Sequence, residues 1–252
     1  LASIGKSKRF NRLMELAAPL LAVPHAAAAF GIAFMIGPAG WISRLFATVM
    51  GMDRPPDVVI LNDPLGLSLV LGLVLKEIPF LVLMGIAALP QTKPQQSFQL
   101  YSTLGYNHAT GWLKTVGPQL YRRIRLQIFA VLCFSVSVVD VAIILGPTTP
   151  PTLAALITQF MSAPDLNERL VGSALAVVQL GVLFVALMVW VFMERLSASL
   201  MQFWIASGAR KGAQVASGAA RIIVVTGMAL LALGAVSLAV WSLAGFWSFP
   251  DI

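Results

Sequence analysis

Five long apolar stretches, Leu13–Ile36, Leu65–Leu89, Ile124–Leu145, Leu170–Met193 and Ile222–Phe246, constrain this chain more than any other feature. A bilayer core takes roughly 20 helical residues at about 1.5 Å each, so every one of these stretches is long enough to cross it. Lipid offers no partner to a bare backbone N–H or C=O, which leaves helices as the element for such runs. Composition points the same way: 58% of residues are hydrophobic, 11% are charged and mean hydropathy is +0.87. One soluble core of this size cannot hide so much apolar surface. The expected fold class is all-α, a polytopic membrane protein with five transmembrane helices. The single cysteine, Cys133, lies within an apolar run and excludes an intrachain disulfide.

The basic residues set the expected topology. Lys6, Lys8, Arg9 and Arg12 precede the first span; Lys93, Lys114, Arg122, Arg123 and Arg125 lie between the second and third; Arg195, Arg210, Lys211 and Arg221 lie between the fourth and fifth. The alternate loops hold only Arg44, Arg54 and Arg169, so thirteen basic residues fall on one side against three on the other. The positive-inside rule then places the N-terminus in the cytoplasm and the C-terminus outside. A pI of 10.1 would suggest nucleic acid in a soluble chain. Here the charge is accounted for by topology, and no nucleic-acid partner is expected.

The outer loops are short. Gly37–Pro64 carries turn signals at Gly37–Gly40 and Asp53–Pro56 around an expected interfacial helix, Trp41–Met50. Gly146–Thr152 is too rich in proline to be helical, and a short surface helix is expected at Leu153–Met161. Residue 1 is Leu and Leu1–Phe10 has no apolar segment, so the sequence reads as a fragment. The small-residue, basic run Ser207–Gly218 reads as a flexible cytoplasmic linker.

Three ionisable side chains fall at membrane depth: Lys76 and Glu77 in the second span and Asp140 in the third. Each costs on the order of 2.5–3.5 kcal/mol at a helix centre, so each should face protein or water and be paired. Lys76 and Glu77, about 100° apart on their helix, are poorly placed to neutralise each other. Helical rise puts Lys76 and Asp140 within reach of one another across the second and third spans. Two readings stay open for the three groups: a translocation path, or a buried pair that fixes helix register. Gln127 and Gln179 read as interhelical hydrogen-bonding residues. His25, after Pro24, reads as a bundle residue and His108 as a surface residue, too far apart for a metal site. Pro19, Pro24 and Pro79 should kink or loosen their helices.

The longest inner loop, Gln91–Arg123, is the most specific segment. Phe98, Tyr101, Leu104 and Trp112 make two short amphipathic turns that cannot span and must lie against something apolar, with Gly105 allowing the backbone to turn between them. Gln99-Leu100-Tyr101, then Gly105, then Pro118 thirteen residues later resembles the cytoplasmic EAA loop of ABC importer permeases. The stretch Ser137–Gly146, with Asp140 in its acidic position and Thr152-Leu153 after it, is similar to the segment that follows that loop in permeases of the thiamine, iron(III), polyamine and sulfate group. The resemblance implies an ATPase-coupling loop containing Gln99, Leu100, Tyr101, Leu104, Gly105, His108, Trp112 and Pro118. It implies three protein partners: a cytoplasmic ABC ATPase dimer, an external solute-binding protein and a second permease half. It also implies residues 1–193 as one permease half, 194–221 as a cytoplasmic linker and 222–252 as the first span of a second half.

The chain carries no P-loop, no Ser/His/Asp set and no HExxH, so ATP would be bound and hydrolysed by a partner subunit and no cofactor is expected here. The expected function is a permease subunit in a bacterial inner membrane that moves a small solute inward by alternating access. The alternatives are an ion-coupled secondary transporter working through Lys76, Glu77 and Asp140, and a membrane-embedded enzyme using Glu77 and His25. Nothing in the sequence selects the solute.

Overall fold

Breaks at Pro24 and at Val138 cut the apolar stretches into more helices than five spans require. The structure, a computed structural model, describes residues 15, 17–55, 60–243 and 249. The N-terminal basic residues Lys6 to Arg12 and the first residues of the first stretch therefore lie outside the described residues. Residues 17–22 are helical, the helix breaks at Val23 and Pro24, and α1 (His25–Ile36) resumes it. The Gly37–Gly40 turn leads to α2 (Trp41–Met50), with the bounds expected from sequence. Then come α3 (Leu67–Ala88), running on as a 3-10 turn over Leu89–Thr92, α4 (Pro94–Thr103) and α5 (His108–Ser137). The chain continues through α6 (Asp140–Leu145), α7 (Leu153–Met161), α8 (Leu166–Ala206) and α9 (Gln214–Leu243). No strand forms among the described residues.

Among the described residues, four segments are long and apolar enough to cross a membrane: 25–50, 67–92, 166–206 and 214–243. The first of these includes the Gly37–Gly40 turn. The expected third span, Ile124–Leu145, is not one helix. Its first part is the distal half of α5, a 30-residue helix that begins at His108 and carries Arg122, Arg123 and Arg125. The helix ends at Ser137, Val138 turns to extended backbone (ψ 132°), and α6 is a separate short helix of 6 residues. The stretch read as a linker, 194–221, is also mostly helical: α8 runs to Ala206 and α9 starts at Gln214, which leaves only 207–213 as a connection.

Two apolar clusters hold the bundle. Ala29 and Ile32 of α1 meet Leu75 of α3, Val138, and Val141 and Leu145 of α6. Ala17, Leu20 and Ala28 meet Met228 and Leu231 of α9. The α1–α9 crossing is close because both helices present glycine there: a Cβ built on Gly31 would run into the Gly234 backbone. Small residues at such crossings let backbones approach, which is how helices gain packing in lipid. The last span is thus packed into the same bundle as the first.

α8 differs from every other span. Of its 41 residues only Gly172 is buried, where it packs against Met161 of α7. It is tied to α5 by a ladder of polar contacts: Gln179 Nε2 to the Val136 carbonyl at 2.6 Å, Trp190 Nε1 to the Tyr121 hydroxyl at 3.1 Å, and Arg125 to Glu194 at 2.7 Å. A helix that is apolar on nearly every side and mostly uncovered is one that faces lipid or another chain.

At the end of the bundle where α3 begins, Asp63 caps that helix, accepting from the Leu67 and Ser68 amides at 2.8 and 2.9 Å. These hydrogen bonds favour the ionised carboxylate and hold its pKa below the ordinary value. Asn62 Nδ2 and Ser68 Oγ donate to the Gly146 and Leu145 carbonyls, both at 2.7 Å, and so fasten this loop to the end of α6.

Candidate functional site

The EAA-like segment folds as a helix, a turn and a second helix. Pro94 stands at the first position of α4, where its missing N–H costs nothing. The turn closes through the Gly105 amide on the Ser102 carbonyl (3.1 Å) and the Tyr106 amide on the Tyr101 carbonyl (3.0 Å). Gly105 has φ +71°, a left-handed conformation that side-chain-bearing residues adopt at a cost. Asn107 caps α5, its side chain accepting from the Ala109 amide at 3.1 Å. α5 then continues without interruption through Trp112 and Pro118 toward the membrane, so the second arm of the loop and the following span are one rigid rod.

The structure divides the residues of the EAA-like segment into two groups. Gln99, Leu100, Leu104, Gly105 and His108 are exposed around the turn, as is Phe98. Leu100 is 58% and Leu104 52% exposed. Tyr101 faces the other way. Expected to reach into a partner's groove, it is 1% exposed and packs on Gly111 of α5, edge-on to the rings of Phe98 (5.5 Å) and His108 (5.9 Å). Its job here is to clamp α4 to α5, and burial raises its phenol pKa above the ordinary value. Trp112 and Pro118 are half-buried on α5.

A second group of chemistry-bearing residues gathers at the Pro24 break. Proline has no N–H to offer the carbonyl four residues back, so the break strips Leu20 of its helical donor, and the Leu21 carbonyl is left facing the same gap. Lys76 fills that place: its ammonium donates to the Leu20 and Leu21 carbonyls at 3.1 and 3.0 Å. Glu77, the next residue, turns to the other side of the break, where its carboxylate stands 3.4 Å from His25 Nε2. His25 in turn lies against the Phe134 ring at 4.5 Å. Together with Leu21, Phe80, Ala130 and Val131 these residues line a cavity of about 230 Å³.

The expected Lys76–Asp140 pair does not form. Asp140 is exposed in the first turn of α6, and no ion pair joins it to Lys76 among the described residues. Lys76 is drawn to the orphan carbonyls, whose dipoles compensate its charge together with the nearby Glu77 carboxylate. Asp140 is instead placed at a helix N-terminus, where the backbone dipole favours a negative charge.

The chain is similar to the inner membrane ABC transporter permease protein YnjC of Escherichia coli (strain K12). The two are 29% identical over 175 residues, which cover 69% of this chain and 32% of that protein. The chain thus spans about a third of the length of the curated relative it matches. No family model and no solved structure matches it.

Sequence reasoning passed over two features of the site. Arg125 and Glu194, read as loop charges of neighbouring spans, form an ion pair at 2.7 Å, with Arg125 also lying over the Phe129 ring at 4.9 Å. Opposite charges at facing ends of two antiparallel spans are the signal that would have found it. Arg44, counted as a loop charge, is 2% exposed and donates to the Ala39 carbonyl at 2.9 Å, its guanidinium 5.5 Å from the Trp241 ring. Arginine is chosen for such sites because its weakly hydrated plane stacks on aromatic rings.

Proposed function

We propose that this chain is part of the permease subunit of an ABC importer in a bacterial inner membrane, with its N-terminus cytoplasmic. The observation that carries the reading is the exposed apolar face around the Gly105 turn. Phe98, Leu100 and Leu104 are exposed there while Tyr101 packs α4 onto α5, and exposed apolar side chains on a fixed frame suit docking by a partner. Similarity to an ABC transporter permease supports the same assignment. A cytoplasmic ATPase dimer docks on this face and drives alternating access, an external binding protein delivers the solute, and a second permease half completes the pathway. ATP belongs to the ATPase; this chain supplies the path and the docking surface. Lys76, Glu77 and His25 line the cavity beside the Pro24 break and are the residues of this chain placed to meet the solute.

The test is purification of the full-length protein from its native membranes with an affinity tag, followed by assay of the preparation for ATP hydrolysis. ATPase activity should co-purify with wild type. Leu100→Asp combined with Leu104→Asp should remove at least nine-tenths of it while membrane insertion is retained. A preparation without ATPase activity, or one that the double substitution leaves unchanged, contradicts the assignment.

A further inference from the structure

Residues 207–213, which connect α8 to α9, lie against the first turns of α5. The Asn107 amide donates to the Arg210 carbonyl at 3.1 Å and the Ala213 amide to Thr110 Oγ1 at 3.4 Å. The Arg210 guanidinium passes 3.7 Å from where a Cβ on Gly105 would stand. One side chain joins all of these parts. Lys114, buried on α5, donates to the Trp204 carbonyl and to the Ala209 carbonyl, both at 2.9 Å. Its ammonium also lies over the rings of Trp204 (4.5 Å) and Tyr106 (5.2 Å). Trp204 belongs to the last turn of α8, and its carbonyl also accepts from Ser207 Oγ at 2.7 Å. Ala209 is in the connection, and Tyr106 is in the α4–α5 turn. A cation at a helix C-terminus is favoured by the backbone dipole, and here it contacts three segments at once.

We propose that Lys114 is a positioning residue that fastens the α4–α5 turn to the junction of α8 and α9, so that a displacement of the turn is delivered to both of those spans as well as to α5. The transmission rests on the coupling function proposed above; the fastening rests on these contacts alone. Without the lysine, α5 still carries the turn, but α8 and α9 are released from it. Arginine at the same position can reach the same carbonyls and stack on the same rings, whereas methionine fills the space and makes neither contact.

Two measurements on the full-length protein, prepared from native membranes with whatever ATPase accompanies it, test this. The first is amide hydrogen exchange of wild type, Lys114→Met and Lys114→Arg in lipid nanodiscs. In Lys114→Met the Asn107 and Ala213 amides should exchange at least about tenfold faster, with Lys114→Arg close to wild type; protection that survives in Lys114→Met overturns the fastening. The second places a cysteine at Leu200 or Val215 in a Cys133→Ser background and follows maleimide labelling with and without ATP plus vanadate. The labelling rate should change about threefold or more on trapping in the wild-type background. The change should vanish with Lys114→Met although ATP hydrolysis persists, and return with Lys114→Arg. A change that persists in Lys114→Met, or its loss together with hydrolysis, overturns the transmission. If no ATPase accompanies the wild-type protein, the coupling reading and the transmission both fall, and hydrogen exchange still decides the fastening.

Discussion

The helix break at Pro24 and the turn at Gly105 solve the same problem in different solvents. At Gly105 the backbone satisfies itself: a glycine in the left-handed region lets the Gly105 and Tyr106 amides close onto carbonyls of the preceding helix. No side chain from elsewhere is needed, and the apolar residues of the turn stay exposed. At Pro24 the carbonyls of Leu20 and Leu21 have no such closure, and a lysine from α3 is brought in. The gap between α5 and α6 is treated the same way, with Gln179 of α8 donating to the Val136 carbonyl at 2.6 Å. Inside the membrane a break can be mended by a long polar side chain from a neighbouring helix. Breaks there consequently tie helices together, whereas the turn keeps Leu104 and Gly105 exposed although Lys114 and residues 207–213 lie against it.

This contrast is broken or sharpened by substitutions at each site, and the largest effect is expected at Lys76. Lys76→Met leaves the buried Leu20 carbonyl and the part-buried Leu21 carbonyl without this donor and should cost about 2–4 kcal/mol of stability in reversible unfolding from bicelles. Pro24→Ala gives the Leu20 carbonyl its own N–H, so in the Lys76→Met background it should recover at least about 1 kcal/mol, a coupling visible in a double-mutant cycle. Additive effects would mean that Lys76 is held there for some other reason.

A smaller loss is expected at the second mended break. Gln179→Leu should cost about 1 kcal/mol or less in the same assay, in line with single interhelical hydrogen bonds in membranes. The Gln179 carbonyl oxygen is buried without a partner among the described residues, and losing it offsets part of the lost bond. Asp140→Asn marks the low end. With no ion pair to Lys76 it should change stability by under about 0.5 kcal/mol. A loss as large as that of Lys76→Met would restore the lysine–aspartate pair that the geometry rejects.

Much of this architecture is legible in the sequence. Apolar length marks the spans, Trp41–Met50 and Leu153–Met161 have the bounds expected from their flanking turn residues, and Gly105 stands where the amphipathic pattern requires a turn. What escaped is where a helix ends inside an apolar run. Val138 and Val139 carry no breaking signal, and the third stretch reads as continuous because hydropathy registers polarity and not the path of the backbone. Partner choice for Lys76 escaped for a related reason. Opposite charge suggests a carboxylate, but the carbonyls freed by Pro24 are an equally good acceptor, visible only once the break is placed beside α3. Tyr101 shows the limit in the EAA-like segment: an amphipathic spacing identifies apolar side chains without telling which of them face inward.

We propose that the Gly105 turn couples this chain to an ATPase while the spans fold independently of it. The most direct test is Gly105→Val in the full-length protein purified from native membranes, with bound ATPase and its hydrolysis measured beside wild type. A β-branched residue at φ +71° is strained by about 1–3 kcal/mol, confined to an exposed turn. The expected result is normal insertion and span stability with a loss of at least fivefold in both bound ATPase and hydrolysis. Wild-type levels of both in a correctly inserted Gly105→Val protein would contradict the claim.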